Sequence, residues 1–252
     1  MVLRLEKRVR LLVGLCFILC GALFLCYGLW RMQGQKGLWQ QSVQAQPIEQ
    51  RVDPSKPMVA LTFDDGPYAP STVRILEALE TVQGRATFFV VGSRVAGREE
   101  TLLKIQASGC EIGNHTFDHI SLRGKSDVEV LRQLQNTDAA IFKVTGEKPT
   151  VVRPPGGAYS ENIKKLTDCP IVAWTVDTMD WNHQNANITV QKVLKEVKDG
   201  DIVLMHDLFV PTAVAVERLL PELQKRGFQF VTVSELLAYR ENVQGVISLK
   251  TK

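Results

Sequence analysis

Leu61-Thr62-Phe63-Asp64-Asp65-Gly66-Pro67 is the stretch on which the architecture turns. The run Met58–Phe63 is apolar, with β-branched and aromatic members, which is the composition of a buried strand. Gly66-Pro67 stops it. Two carboxylates therefore stand at the end of a buried strand. Successive strand residues face opposite ways, so Asp64 and Asp65 can serve one site only if the strand ends there and the backbone turns. Adjacent acids in such a place need a cation, a hydrogen-bond network or a raised pKa. An ordinary Asp-Gly turn also accounts for these residues, and the rest of the chain decides between the two.

Downstream, short apolar runs alternate with helical patterns. Strands are expected at Ala86–Val91, Thr150–Arg153, Ile171–Val176, Asp201–Met205 and Phe228–Val233, and Glu111–Asn114 starts a short strand or turn into His115. Between them lie helical segments. One starts near Ser71, a plausible N-cap, and another covers Glu99–Ala107. A long amphipathic helix covers Asp127–Val144, and a further one begins near Thr212 and must kink or restart at Pro221. Repeated strand–helix alternation implies an α/β fold with parallel strands. Polar residues gather at the strand C-termini: Asp64/Asp65, His115, Arg153, Asp177/Asp180 and His206. A (β/α) barrel and a doubly wound sheet both keep their sites there, so the clustering does not separate the two.

Upstream, Leu11–Trp30 carries no charge and is about long enough to cross a bilayer as a helix. Arg4, Lys7, Arg8 and Arg10 precede it, which puts the N-terminus in the cytoplasm and the rest of the chain outside. A secretory signal peptide is the competing reading, but the run is long for one and Arg31-Met32-Gln33 is no cleavage site. The expected organisation is a basic segment 1–10, an anchor 11–30, a Gln-rich linker 31–56, a catalytic domain 57–240 and a tail 241–252. The expected location is the cell membrane, single-pass, with the membrane itself as a partner and cleavage followed by secretion as the alternative. The net charge of +3 makes no case for nucleic acid. Outside the apolar segment only Cys110 and Cys169 remain, as buried small residues or as a bridge.

His115-Thr116-Phe117-Asp118-His119 sets two imidazoles at i and i+4, which face the same way on a helical turn and can bind one metal. With a strand-end carboxylate they make His₂Asp, the three-ligand count of a catalytic rather than a structural site. Arg153 precedes Pro154-Pro155-Gly156-Gly157, a rigid irregular turn that allows another group to approach closely. Trp181 suits either a core or a sugar platform. His183 reads as surface loop or substrate rim, and His206 closes an apolar strand.

Taken together, five motifs in order resemble the NodB-homology polysaccharide deacetylases, carbohydrate esterase family four. They are Thr62-Phe63-Asp64-Asp65-Gly66, His115-x-x-x-His119, Arg153-Pro154-Pro155-Gly156-Gly157-Ala158-Tyr159, Asp177-Thr178-Met179-Asp180-Trp181 and Leu204-Met205-His206. The resemblance covers about residues 57–240. It implies a distorted (β/α) barrel of about seven parallel strands and a divalent metal, most often Zn²⁺, with Co²⁺ among the alternatives. By that resemblance Asp65, His115 and His119 bind the metal, Asp64 is the general base and His206 the general acid. Arg153 holds Asp64, and Asp180 orients His206. The backbone N–H of Tyr159 polarises the acetyl oxygen, while Trp181 and Leu204 line the acetyl pocket. Relatives often carry His where this chain has Cys110, a position that is not a ligand in the family pattern.

The stretches Asp177–Asn187 and Phe230–Leu237 look like those of cell-wall deacetylases of Gram-positive bacteria. The substrate so implied is cell-wall glycan, with N-acetylglucosamine of peptidoglycan losing its acetyl group to a metal-bound water. N-acetylmuramic acid, chitin oligomers and O-acetylated xylan are the alternatives within the enzymes, and a glycan-binding module is the alternative outside them. Oligomeric state has no signature in the sequence.

Overall fold

The computed structural model describes residues 52–244. The expected anchor, most of the linker and the end of the tail lie outside them. Among the described residues no helix is long and apolar enough to cross a membrane.

The domain is built on β1 (Met58–Asp64), whose seven residues are all buried, as the apolar run requires. Every strand pair is parallel. The path runs β3 (Glu111–Asn114), β2 (Thr87–Val90), β1, β5 (Asp201–His206), β4 (Val176–Asp177), with β6 (Gln229–Phe230) against the start of β1. Helices α1 (Ala69–Thr81), α2 (Glu99–Ala107), α3 (Asp127–Thr145), α4 (Asp180–His183), α5 (Ala186–Glu196), α6 (Val210–Lys225) and α7 (Val233–Gln244) alternate with the strands.

Strand parity decides what reaches the site. Val59, Leu61 and Phe63 face outward into one core with Ile75, Leu79, Val216 and Leu219. Met58 and Ala60 face the other way, into a second core with Phe89, Val172 and Ile202. Thr62 and Asp64 continue that second face. On β5, Val203 and Met205 join the outer core and Ile202 the inner one, so Leu204 and His206 share the inner face. Asp64 and His206 are register partners at the ends of adjacent central strands.

Several expectations need correction. The sheet has six strands, not about seven. Thr150–Arg153 and the start of Ile171–Val176 contribute only isolated bridges, Asn114–Val152 and Val152–Ile171. Pro154, Pro155 and Pro170 flank these segments and supply no backbone donors, which keeps each pairing to a single step. Ser71 does not cap α1. The cap position is Tyr68, and Ser71 is buried and donates to the carbonyl oxygen of Asp207. Pro221 does not restart the helix: α6 runs unbroken across it. Pro221 is exposed, so the carbonyl it leaves without a helical donor can turn to water.

Phe63 has no exposed surface and stacks on Phe88 with ring centroids 5.0 Å apart. Phe63→Ala should lower stability by about 3–5 kcal/mol. Urea denaturation checks this. A loss under ~1 kcal/mol would show that the outer core collapses into the space, against the packing described.

Candidate active site

At the end of β1 the backbone does turn. Asp65 has φ +76°, a left-handed conformation uncommon for a residue with a Cβ. The turn brings both carboxylates to one place. Gly66 follows because Asp207 leaves no room for a side chain: a Cβ there would lie 2.3–2.6 Å from the Asp207 carboxyl. Burial pushes that carboxyl up to about 7, against the lowering effect of the Thr72 hydroxyl that donates to it.

Asp64 is held from below by Arg153, a fully buried guanidinium. Its Nη1 donates to Asp64 Oδ1 at 2.8 Å and to Thr62 Oγ1 at 2.7 Å. Nε and Nη2 donate to the carbonyl oxygens of Val172 and Ala173. The guanidinium lies over the Phe89 ring at 4.1 Å and nearer the edge of contact with Trp174 at 5.7 Å. Burial pulls its pKa down, and the neighbouring Asp64 charge opposes this.

His115 and His119 do meet, but not on a helix. They lie on a loop in which Thr116 and His119 both have positive φ, +64° and +54°. This corrects the helical-turn reading: the i, i+4 spacing was right for a different reason. The ring centroids are 5.1 Å apart. His115 Nδ1 sits 2.6 Å from the Arg153 carbonyl oxygen. A carbonyl only accepts, so in the neutral ring Nδ1 carries the proton and Nε2 keeps its lone pair.

His115 Nε2 is 3.4 Å from Asp65 Oδ1, and His119 Nε2 is 2.8 Å from the same oxygen. Burial alone would raise the Asp65 carboxyl, but the two imidazoles outweigh it and hold it well below the usual carboxylate range. One candidate ligand atom from each of Asp65, His115 and His119 falls within 4.8 Å of the others. Ligands of a tetrahedral ion at ordinary Zn–N and Zn–O lengths stand roughly 3.4 Å apart. Apart from the two imidazole nitrogens, buried Asp65 Oδ1 has no hydrogen-bond partner. An ionised oxygen facing an imidazole lone pair fits a cation, so the donor set passes that test.

On the other side, His206 Nδ1 is 2.8 Å from Asp180 Oδ1. The second oxygen of Asp180 accepts from the His206 backbone N–H at 2.9 Å and from Thr212 Oγ1 at 2.6 Å. Thr178 Oγ1 adds a longer bond to Oδ1. Burial disfavours the imidazolium, but Asp180, Asp64 and Asp65 together raise the His206 pKa.

Leu204 lies buried two residues before His206 on the same face. Trp181 is 48% exposed on α4, at the rim rather than in the interior. The Tyr159 side chain is partly buried against the cluster of Leu122, Val130, Leu134, Val152 and Ile163. His183 is half-buried at the end of α4. Its Nε2 bonds the Thr178 carbonyl and its Nδ1 accepts from Asn185 N–H, so the ring staples the loop after β4. Cys110 and Cys169 are free thiols. Phe89, Trp174 and Thr212 support the site from positions that carry no signal along the chain. Thr62, a hydroxyl within an apolar strand, and Asp207, an acid next to His206, do carry one.

Fold and site together define a parallel α/β domain in which Asp65, His115 and His119 form a candidate cation site beside an acid–histidine pair. A polysaccharide deacetylase family model matches residues 51–174. The peptidoglycan-N-acetylmuramic acid deacetylase PdaC of Bacillus subtilis is 40% identical over 75% of this chain and 41% of its own length. The peptidoglycan-N-acetylglucosamine deacetylase PgdA of Listeria monocytogenes is 41% identical over 74% of this chain and 40% of its own. The chain thus spans about two-fifths of those relatives. A peptidoglycan-N-acetylglucosamine deacetylase of Bacillus cereus is 35% identical and is matched over 89% of its length, against 73% of this chain.

Among solved structures, PdaC superposes with TM-score 0.75 at 38% identity, over 77% of this chain and 96% of that one. A family 4 acetyl xylan esterase from Clostridium thermocellum, in complex with a cobalt ion, gives 0.69 at 34% identity, over 75% and 93%. The chain belongs to the polysaccharide deacetylase family.

The raised His206 pKa has a testable origin. A raised folded-state pKa stabilises the fold fully below the ordinary value of about 6.5 and loses that contribution as pH rises through the folded value. Asp180→Asn removes the nearest charge and leaves burial, so the NMR titration midpoint of His206 should fall below that of the wild type. An unchanged midpoint would mean that Asp180 does not tune His206.

Proposed function

We propose that this protein is a metal-dependent deacetylase that hydrolyses the N-acetyl group of N-acetylglucosamine in peptidoglycan. The observation that carries the reading is the register pairing of Asp64 and His206, with the Asp65–His115–His119 cluster beside them. A base and an acid at adjacent strand ends, flanking a cation site, are what amide hydrolysis needs.

Asp65, His115 and His119 would hold the cation, with Zn²⁺ favoured by two imidazoles and one carboxylate. When bound, it supplies Lewis acidity and a water acidic enough to attack near neutral pH. Asp64, held in place by the Arg153 guanidinium, takes the proton of the attacking water. His206 gives its proton to the sugar nitrogen as the carbon–nitrogen bond breaks, releasing acetate and a free amine. Asp180 holds the His206 ring through Nδ1 and favours its charged form. The Tyr159 backbone N–H is assigned to the acetyl oxygen, and Leu204 with Trp181 to the apolar side of the acetyl pocket.

The wider reading follows. The bridges at Val152 and Ile171 lead the chain from the β3 edge to β4 at the opposite edge, which supports a distorted (β/α) barrel. Leu11–Trp30 is assigned to a single membrane span, with the catalytic domain on the outer side, where cell-wall glycan lies. Similarity to PdaC favours N-acetylmuramic acid as the second substrate reading.

Asp64→Asn should cost about 10²–10⁴ in turnover and leave metal affinity unchanged. Acetate released from isolated peptidoglycan, with mass spectrometry of the sugar, reads both activity and substrate. Wild-type turnover in Asp64→Asn would end the base assignment. Deacetylated muramic acid in the product would move the substrate to the second reading.

A further inference from the structure

The loop from His115 to His119 is held in a conformation that its own sequence disfavours. Thr116 and His119 both carry a Cβ and both have positive φ. Such conformations are costly for residues with a Cβ and persist only where the surroundings over-determine them. Part of the restraint comes from the strand side. Asn114 Oδ1 accepts from Thr116 N–H at 2.9 Å, and Gly92 and Ser93 donate to the carbonyls of Thr116 and Phe117 at 3.0 Å each.

The opposite side is held by one side chain. Gln133 lies on α3 with no exposed surface. Its Oε1 accepts from the N–H groups of both Phe117 and Asp118, each at 2.8 Å. Its Nε2 donates to Asp118 Oδ2 at 2.7 Å and to Glu129 Oε1 at 3.2 Å. All four contacts of the amide are thus spent on fixing a loop and its neighbours. Arg132 also bonds Asp118 and Glu129, but from the solvent side and without touching the backbone of the loop.

His119 has a 39% exposed side chain, so little packing places it. Its position follows from the two residues before it, the ones whose N–H groups Gln133 holds. An amide suits the task where a carboxylate does not. One end must accept from two N–H groups while the other must donate to the acids Asp118 and Glu129.

We infer that Gln133 is a positioning residue for the cation site, setting His119 opposite Asp65 through the main chain of Phe117 and Asp118. The inference rests on the metal reading above. Removing comparable supports behind metal ligands lowers metal affinity by about 10–100-fold.

The test uses the full chain. Gln133→Asn keeps the amide but is one methylene too short to span both N–H groups, and Gln133→Ala removes it. Competition with a chelating dye gives the Zn²⁺ dissociation constant, and far-UV circular dichroism reports the metal-free fold. Folded variants that bind Zn²⁺ about 10–100-fold more weakly than wild type would support the inference. Folded variants with wild-type affinity would overturn it, even if their metal-free melting temperature had dropped. Loss of fold in both variants would also overturn it, by making Gln133 a folding residue. If wild type itself binds no Zn²⁺, the metal reading fails first, and the inference fails with it.

Discussion

The buried pair between Arg153 and Asp64 is the interaction on which the rest of the site depends. Two charges taken out of water do not stabilise a fold cheaply, because desolvation offsets most of their attraction. Their value here is positional. The guanidinium is fixed by Thr62, by two carbonyl oxygens and by the face of Phe89, so it can hold Asp64 in one place only. The same residue reaches the metal side through its main chain, where its carbonyl sets the tautomer of His115. One residue therefore couples the proposed base to one proposed ligand. A displacement of the segment before Pro154 would disturb both together.

The site also concentrates backbone strain. Asp65, Thr116, His119 and Met179 all have positive φ without being glycine. Each lies within a motif, immediately beside or at a polar group that the chemistry needs. Such conformations survive because neighbours compensate: the Asn114 amide at Thr116, the register pairing of β1 with β5 before Asp65, and the Asp177 carboxylate at Met179. The buried Asp207 belongs to the same economy of space. Its carboxyl occupies the volume that a side chain at position 66 would need, so a glycine is the residue that fits beneath the two-acid turn. Its raised pKa keeps a third negative charge from forming there under mildly acidic conditions.

Much of this was legible along the chain. An apolar strand that ends abruptly in a polar residue is a local pattern, and β1 and β5 each carry one. Where the expectation failed, the deciding contact was distant in sequence. Val152 and Ile171 form bridges rather than strands because of prolines on their flanks and because of the partners available at the sheet edge. Ser71 has the composition of a cap, but Asp207, far along the chain, claims its hydroxyl. The two imidazoles were expected on a helix, whereas a loop fastened to β2 brings them together. The ring of His183 is held by two main-chain groups, which spacing does not reveal.

By itself the sequence determined which residues could do chemistry and on which end of the sheet they would stand, because strand periodicity and chain breakers are local. It also determined the inner face of β1, since parity is set once the strand is recognised. Which acid pairs with which base is not written in any local pattern: the family resemblance implied the partners, and only the tertiary structure brings them together. Asp64 goes to Arg153, Asp65 to the two histidines and Asp180 to His206, and each choice joins segments far apart in the chain. The physical reason is that a buried charge is assigned by whatever opposite charge or donor the fold brings within about 3 Å, and that distance is a property of packing.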